Sequence, residues 1–124
     1  MKKMETTVEK EDLELKDIGN FTGTETYHNI WLNVIGTDGI AYVMKNGYSW
    51  AVTDACTVLR KEERVMNEEF VAVKLQLPGD GTAKMVYENG DEKVLFTQKY
   101  GFTSARREFI MYYTDGILLL SSEY

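Results

Sequence analysis

The sequence is poor in the residues that build covalent or metal-held scaffolds. Its 124 residues include one cysteine, one histidine and one proline. A single cysteine cannot close an internal disulfide, which excludes a disulfide-stapled secreted fold. A lone cysteine with a lone histidine cannot supply the ligand set of a Cys/His zinc site. No apolar run approaches the ~20 residues that cross a bilayer. The opening stretch MKKMETTVEKEDLELKD lacks the apolar segment of a signal peptide. Positive charge is also short: 14 Lys and Arg stand against 20 Asp and Glu, a formal charge of −6. An acidic domain repels a phosphate backbone at long range, so direct nucleic-acid binding through Lys/Arg counterion release is not expected.

What is present suffices for one core. Hydrophobic residues make up 44% of the chain and aromatic residues 12%, too apolar for a disordered chain. The length fits a single domain. These numbers describe a cytoplasmic globular protein with no membrane association, and no cofactor is expected.

Residues 1–18 read as a charged N-terminal arm, with six acids and four lysines, and residues 19–124 as a single α+β domain. Residues 19–37 are rich in turn formers; Tyr27 to Ile35 fits either a short strand or an irregular apolar segment. Thr37 or Asp38 suits an N-cap, Ile40, Val43 and Met44 share helical spacing, and Gly47 suits the stop. A second helix is expected over about 50–63, with Val52, Ala55, Cys56 and Leu59 on one stripe and Arg60 and Lys61 near its end. From residue 68 the period shortens to that of a strand. Val71, Val73, Leu75 and Leu77 alternate with Lys74 and Gln76. Pro78-Gly79-Asp80-Gly81 is a turn. AKMVYE and KVLFTQKYGF are strands joined at Asn89-Gly90, a strong type I′ hairpin signal, and a second hairpin turns at Asp115-Gly116. Helices followed by strands mean an α+β class. The expected architecture is two short helices packed on one face of an antiparallel, mainly meander sheet of about five strands.

Few arrangements suggest chemistry. Asp80, Glu88, Asp91 and Glu92 match no calcium-loop spacing. Cys56 with His28 could be written as a thiolate pair, but Cys56 sits on an apolar stripe and reads as core. Gly36-Thr37-Asp38-Gly39 precedes a helix yet lacks the lysine of a phosphate loop, and Asp38 would repel phosphate. Asp54 sits in an otherwise apolar helix start; it reads as a base of raised pKa or as a structural carboxylate bonded to backbone or to a tyrosine hydroxyl. Tyr112, Tyr113, Phe109, Tyr100 and Phe102 crowd the last strands, where amphipathic rings suit a partner-binding face or a homodimer interface.

Several strings, taken in order, resemble one family. They are Phe21-Thr22-Gly23-Thr24-Glu25-x-Tyr27, Thr37-Asp38-Gly39-Ile40-x-Tyr42, Trp50-x-x-x-Asp54 and Gly116-Ile117-Leu118-Leu119-Leu120-x-Ser122-Glu123-Tyr124. Together they look like a family of small uncharacterised bacterial proteins that also occur in phages and other mobile elements. The resemblance runs over residues 20–124. Ser121 stands where that family usually has proline. It implies an association with mobile elements and no mechanism, and it marks Thr24, Glu25, Asp38, Asp54, Glu123 and Tyr124 as motif positions.

Three functions follow as expectations. The first is a non-enzymatic protein-binding module, in its narrower form a phage- or element-encoded inhibitor of a host defence nuclease of the anti-CRISPR kind. Its partner would be a nucleic-acid enzyme with a basic groove, and its contact residues Thr24, Glu25, Asp38, Asp54, Tyr112, Glu123 and Tyr124. The second is a small enzyme or ligand-binding domain that uses Asp54 or Glu25. The third is a nucleic-acid binder, which requires Arg60, Arg64, Arg106 and Arg107 to form one basic stripe.

Overall fold

The computed structural model describes residues 11–124; the first ten positions of the expected arm lie outside the described residues. The chain runs through β1 (His28–Trp31), β2 (Val34–Gly36), α1 (Asp38–Val43), α2 (Ser49–Lys61), β3 (Phe70–Gln76), β4 (Ala83–Asn89), β5 (Val94–Tyr100), β6 (Phe109–Thr114) and β7 (Ile117–Leu120). Short 3₁₀ turns occupy Ile18–Asn20 and Ser121–Glu123. None of the described helices is long and apolar enough to cross a membrane.

The α+β class holds, while the sheet is larger than the sequence suggests. Seven strands form one sheet in the order β1-β2-β7-β6-β3-β4-β5, against about five expected. The two additional strands are β1 and β2. Their turn is Leu32-Asn33, with φ of 53° and 66°, the left-handed pair that a tight hairpin requires. No glycine marks that turn. The Arg60 guanidinium helps hold it, donating from Nε to the Leu32 carbonyl at 3.1 Å.

The meander is confined to β3-β4-β5. β6 returns to the free side of β3, pairing Phe70 with Thr114 and Leu75 with Phe109, and β7 then pairs in parallel with β2. The connection over residues 101–108 makes this detour along the sheet end. The Tyr48 hydroxyl accepts from Arg106 N at 3.0 Å and Arg107 N at 3.1 Å, and Thr103 N donates to Gly81 O at 3.0 Å.

The hairpin at residues 89–93 is present, but its turn is not type I′. The Asn89 side chain accepts from Asp91 N and Lys93 N at 2.9 and 3.0 Å. Glu92 N closes on Asn89 O, and Glu92, not Asn89 or Gly90, takes the left-handed conformation at φ 65°. The Asp115-Gly116 turn has both central residues at positive φ, 54° and 78°, as its sequence predicts.

One face of the sheet carries the core. Val71, Val73, Leu75, Met85, Tyr87, Phe109, Met111, Leu118 and Leu120 pack with Ile40, Val43, Ala51, Val52, Ala55, Cys56 and Leu59 of the helices. Leu77, expected on this face, lies past the end of β3 and is half-buried. Gly47 ends the first helical stretch at φ 100°; its bare Cα also gives room to Leu13, whose Cδ2 lies 2.5 Å from where a Cβ would stand.

The division at residue 18 does not coincide with a packing boundary. Leu15 is fully buried in the core. Asp12 N donates to the buried Asn46 Oδ1 at 2.8 Å, and the Tyr48 hydroxyl donates to the Leu13 carbonyl.

Candidate functional site

Four of the motif residues converge at the start of α1. Thr37 is the N-cap of that helix, its Oγ1 facing Ile40 N at 3.5 Å. The same hydroxyl donates to Glu123 Oε1 at 2.6 Å. Glu123 also accepts from Gly39 N at 3.1 Å and from Leu120 N at 2.9 Å. A carboxylate brought from the far end of the chain thus satisfies helix-start donors that would otherwise lack partners. Gly39 is obligatory for this approach: a Cβ there would lie 2.5 Å from Glu123 Oε1 and 2.6 Å from Leu120 Cδ1.

Asp38 ties the segment before β1 to the same point. Its Oδ2 accepts from Glu25 N at 3.0 Å and its Oδ1 meets His28 Nε2 at 2.9 Å. Its own amide donates to Thr24 Oγ1 at 2.8 Å. The His28 contact, then the Glu25 amide, hold the Asp38 carboxyl below the usual carboxylate range. The side-chain polar atoms of Thr24, Asp38 and Glu123 are taken up by backbone groups and by the His28 and Thr37 side chains. The Glu25 side chain is exposed, and only its amide joins the cluster.

Asp54 lies elsewhere. On α2 it accepts from the Tyr100 hydroxyl of β5 at 2.8 Å, and Tyr100 stacks edge-on against Trp50 at 5.1 Å. Burial, followed by this bond to Asp54, pushes the Tyr100 hydroxyl pKa up. Asp54 therefore braces the helix to the sheet. Cys56 is fully buried, and burial pushes its thiol up to about 12, so it is not a poised nucleophile. Among the described residues, no group of three or more His, Cys, Asp or Glu is placed to hold a metal.

Tyr112 and Tyr124 meet on the other face of the sheet. The register places Phe70, Ala72 and Lys74 of β3 opposite Thr114, Tyr112 and Ile110 of β6, with Leu119 and Ile117 of β7 beyond. The Tyr124 ring stacks edge-on against Tyr112 at 5.1 Å and Phe70 at 5.7 Å, and Phe70 and Tyr112 lie 5.1 Å apart. α1 and α2 pack on the opposite face; this one carries the Tyr124 ring and is bordered by Thr24 and Tyr27 beside Ile117 and by Ile18 and Gly19 beside Ile110. Phe70 belongs to this group although its sequence context marks it only as a strand residue; its placement beside Tyr112 is a matter of register.

The four arginines are divided. Arg60 closes α2, and Arg64 follows it, stacked 4.6 Å over Phe96 and paired with Glu62 at 2.8 Å. Arg106 and Arg107 are bound through Tyr48 at the opposite end of the same helix. They do not form one stripe.

Residues 12–124 match the family of unknown function DUF6876, and the chain belongs to it. The match begins at residue 12, so part of the expected arm lies within the family region, in keeping with the burial of Leu15. Comparison with curated proteins and with solved structures gave no match.

Proposed function

We propose that the chain is a non-enzymatic protein-binding module that docks through the uncovered sheet face. The observation that carries this reading is the Phe70–Tyr112–Tyr124 group, flanked by Ile110, Ile117 and Leu119, on a face no helix covers. Tyrosine and phenylalanine are enriched in the centres of interfaces. Seven strands ~4.8 Å apart and about 18 Å long give a face of roughly 600 Å², close to the ~800 Å² each partner buries in a stable complex. Of the carboxylates that an enzymatic reading would use, Asp54 is engaged with Tyr100 and Glu25 is exposed rather than set in a pocket.

In its narrower form the proposal makes the chain an inhibitor of a host defence nuclease, carried by a phage or mobile element. The charge of −6 supports it, since an acidic surface suits a basic nucleic-acid channel and speeds encounter with it. The test is affinity capture from host lysate by the wild type and by Tyr112→Asp and Tyr124→Ala, with nuclease treatment and unchanged melting as controls. A protein that the wild type retains after nuclease treatment and that either variant releases supports the reading. Equal capture by all three, or capture that vanishes with nuclease, refutes it.

A further inference from the structure

We infer that the corner of the open face over β7 receives an arginine or lysine side chain presented by the protein partner; this rests on the protein-binding reading above and names the chemistry it selects. A cavity of about 300 Å³ lies there. Its floor is Ile117 and Leu119, and its walls include Thr24 and Tyr27 on one side and Tyr124 on the other. Tyr27 and Tyr124 are 59% and 73% exposed.

The sign of the charge decides the occupant. Glu123 and Asp115 line the cavity, and none of its lining residues is lysine or arginine. The donors bonded to Glu123 are a hydroxyl and two amides, none of which carries a full positive charge. Asp38 and Glu25 stand just behind Thr24. A cation between tyrosine rings gains from their faces as well as from the carboxylates, and the apolar floor suits the methylene stem of a long basic side chain.

The lysines of the same face lie too far away to matter. Lys84 and Lys99 pair with each other across β4 and β5, in the row of Gln76. That row is six residues along β3 from Phe70, about 20 Å at ~3.3 Å per residue and beyond two Debye lengths at physiological salt. Lys74 is already paired with Glu88 at 3.0 Å. An acidic or phosphate-bearing ligand would meet the carboxylates of Glu123 and Asp115 at this corner with no lysine or arginine to offset them.

The test titrates the full chain with a blocked heptapeptide, GLRLRLG, followed by NMR. Its controls are the same peptide with citrulline for both arginines, and the variants Asp115→Asn, Tyr124→Ala and the remote Glu63→Gln. Saturable shifts centred on Thr24, Asp115 and Tyr124 are expected. Binding should weaken about tenfold with citrulline, about threefold with Asp115→Asn or Tyr124→Ala, and not with Glu63→Gln. Equal binding of the arginine and citrulline peptides at this corner overturns the cationic specificity while leaving a protein-docking face. Shifts spread over the acidic surface, or equal weakening by Glu63→Gln, overturn the site. Failure of the docking reading itself shows separately, as lysate capture that is indifferent to Tyr112→Asp.

Discussion

Removing the Glu123 carboxylate measures how far the end of the chain holds the fold. Glu123 accepts from Thr37 Oγ1, Gly39 N and Leu120 N at 2.6, 3.1 and 2.9 Å. A hydrogen bond to a charged acceptor contributes about 1.5–3 kcal/mol net. Glu123 is only half-buried, so water replaces part of the loss and about 1 kcal/mol per bond applies. Three bonds acting on one side chain then give about 3 kcal/mol for Glu123→Ala. With ~2 kcal/mol/M for the urea slope, the midpoint falls by about 1.5 M; the melting temperature falls by about 12 °C at ~4 °C per kcal/mol. Glu123→Gln keeps an acceptor oxygen but loses the charge at the helix start, and should cost about half as much. Gly39→Ala tests the same contact without deleting a donor, because its Cβ would stand where Glu123 Oε1 and Leu120 Cδ1 now are. The double variant should lose clearly less than the two single losses added, since a clash with an absent carboxylate costs nothing. A loss below ~0.5 kcal/mol for Glu123→Ala, the level of an ordinary surface change, or full additivity with Gly39→Ala, would refute the latch.

Glu92→Gly should stabilise the domain by about 1 kcal/mol in urea melts, because an exposed residue at φ 65° carries left-handed strain that glycine lacks. Cys56 should resist iodoacetamide at pH 8 in the native state and react at the rate of global unfolding, since its thiol is buried and pushed up to about 12; rapid native alkylation would contradict the burial. Asp38 titrates below its unfolded value, so its share of stability is present above the unfolded carboxylate pKa and disappears as pH falls through the folded one. Asp38→Asn should therefore be less stable than wild type at pH 7, with the two converging once pH falls below the folded pKa of Asp38; a gap that persists in acid where the carboxyl is protonated would mean the His28 and Glu25 contacts do not depend on the charge.

Local signals in the sequence located most elements, and long-range pairing decided what they missed. The stripe Val52, Ala55, Cys56, Leu59 and the alternation of Val71, Val73 and Leu75 are periodic and bury as written. β1 and β2 are four and three residues long, too short for a period to show. Their turn uses Leu32, a residue no turn rule selects. At residues 89–93 the Asn-Gly pair marked the right place for the wrong geometry, because the Asn89 carboxamide captured two amides that a type I′ turn leaves free. Strand order was not legible: β6 could have continued beside β5, and the Tyr48 hydroxyl, 58 residues from Arg106, carries the chain to the other side of β3. The motif residues were visible as strings, but the bond from Thr37 to Glu123 spans 86 residues, and neither partner's neighbours in sequence announce the other.

The latch and the open face are mechanically one device. Glu123 is fastened to α1 through Gly39 and Thr37, and the next residue, Tyr124, projects its ring onto Tyr112 and Phe70. Thr24 is fastened to the same helix start through Asp38 N, which sets the opposite wall of the cavity. Thr24, Asp38 and Glu123 thus fix where two tyrosines stand, Tyr27 and Tyr124, and on the docking proposal recognition falls to those rings and to Asp115. This arrangement separates two kinds of variant. Glu123→Gln should lower stability and binding together, because it loosens the turn that aims Tyr124. Tyr27→Ala, at a ring that is mostly exposed, should lower binding alone. If Tyr27→Ala instead destabilised the fold as much as Glu123→Gln, the ring would be a structural element, and the cavity wall it forms would be no recognition surface.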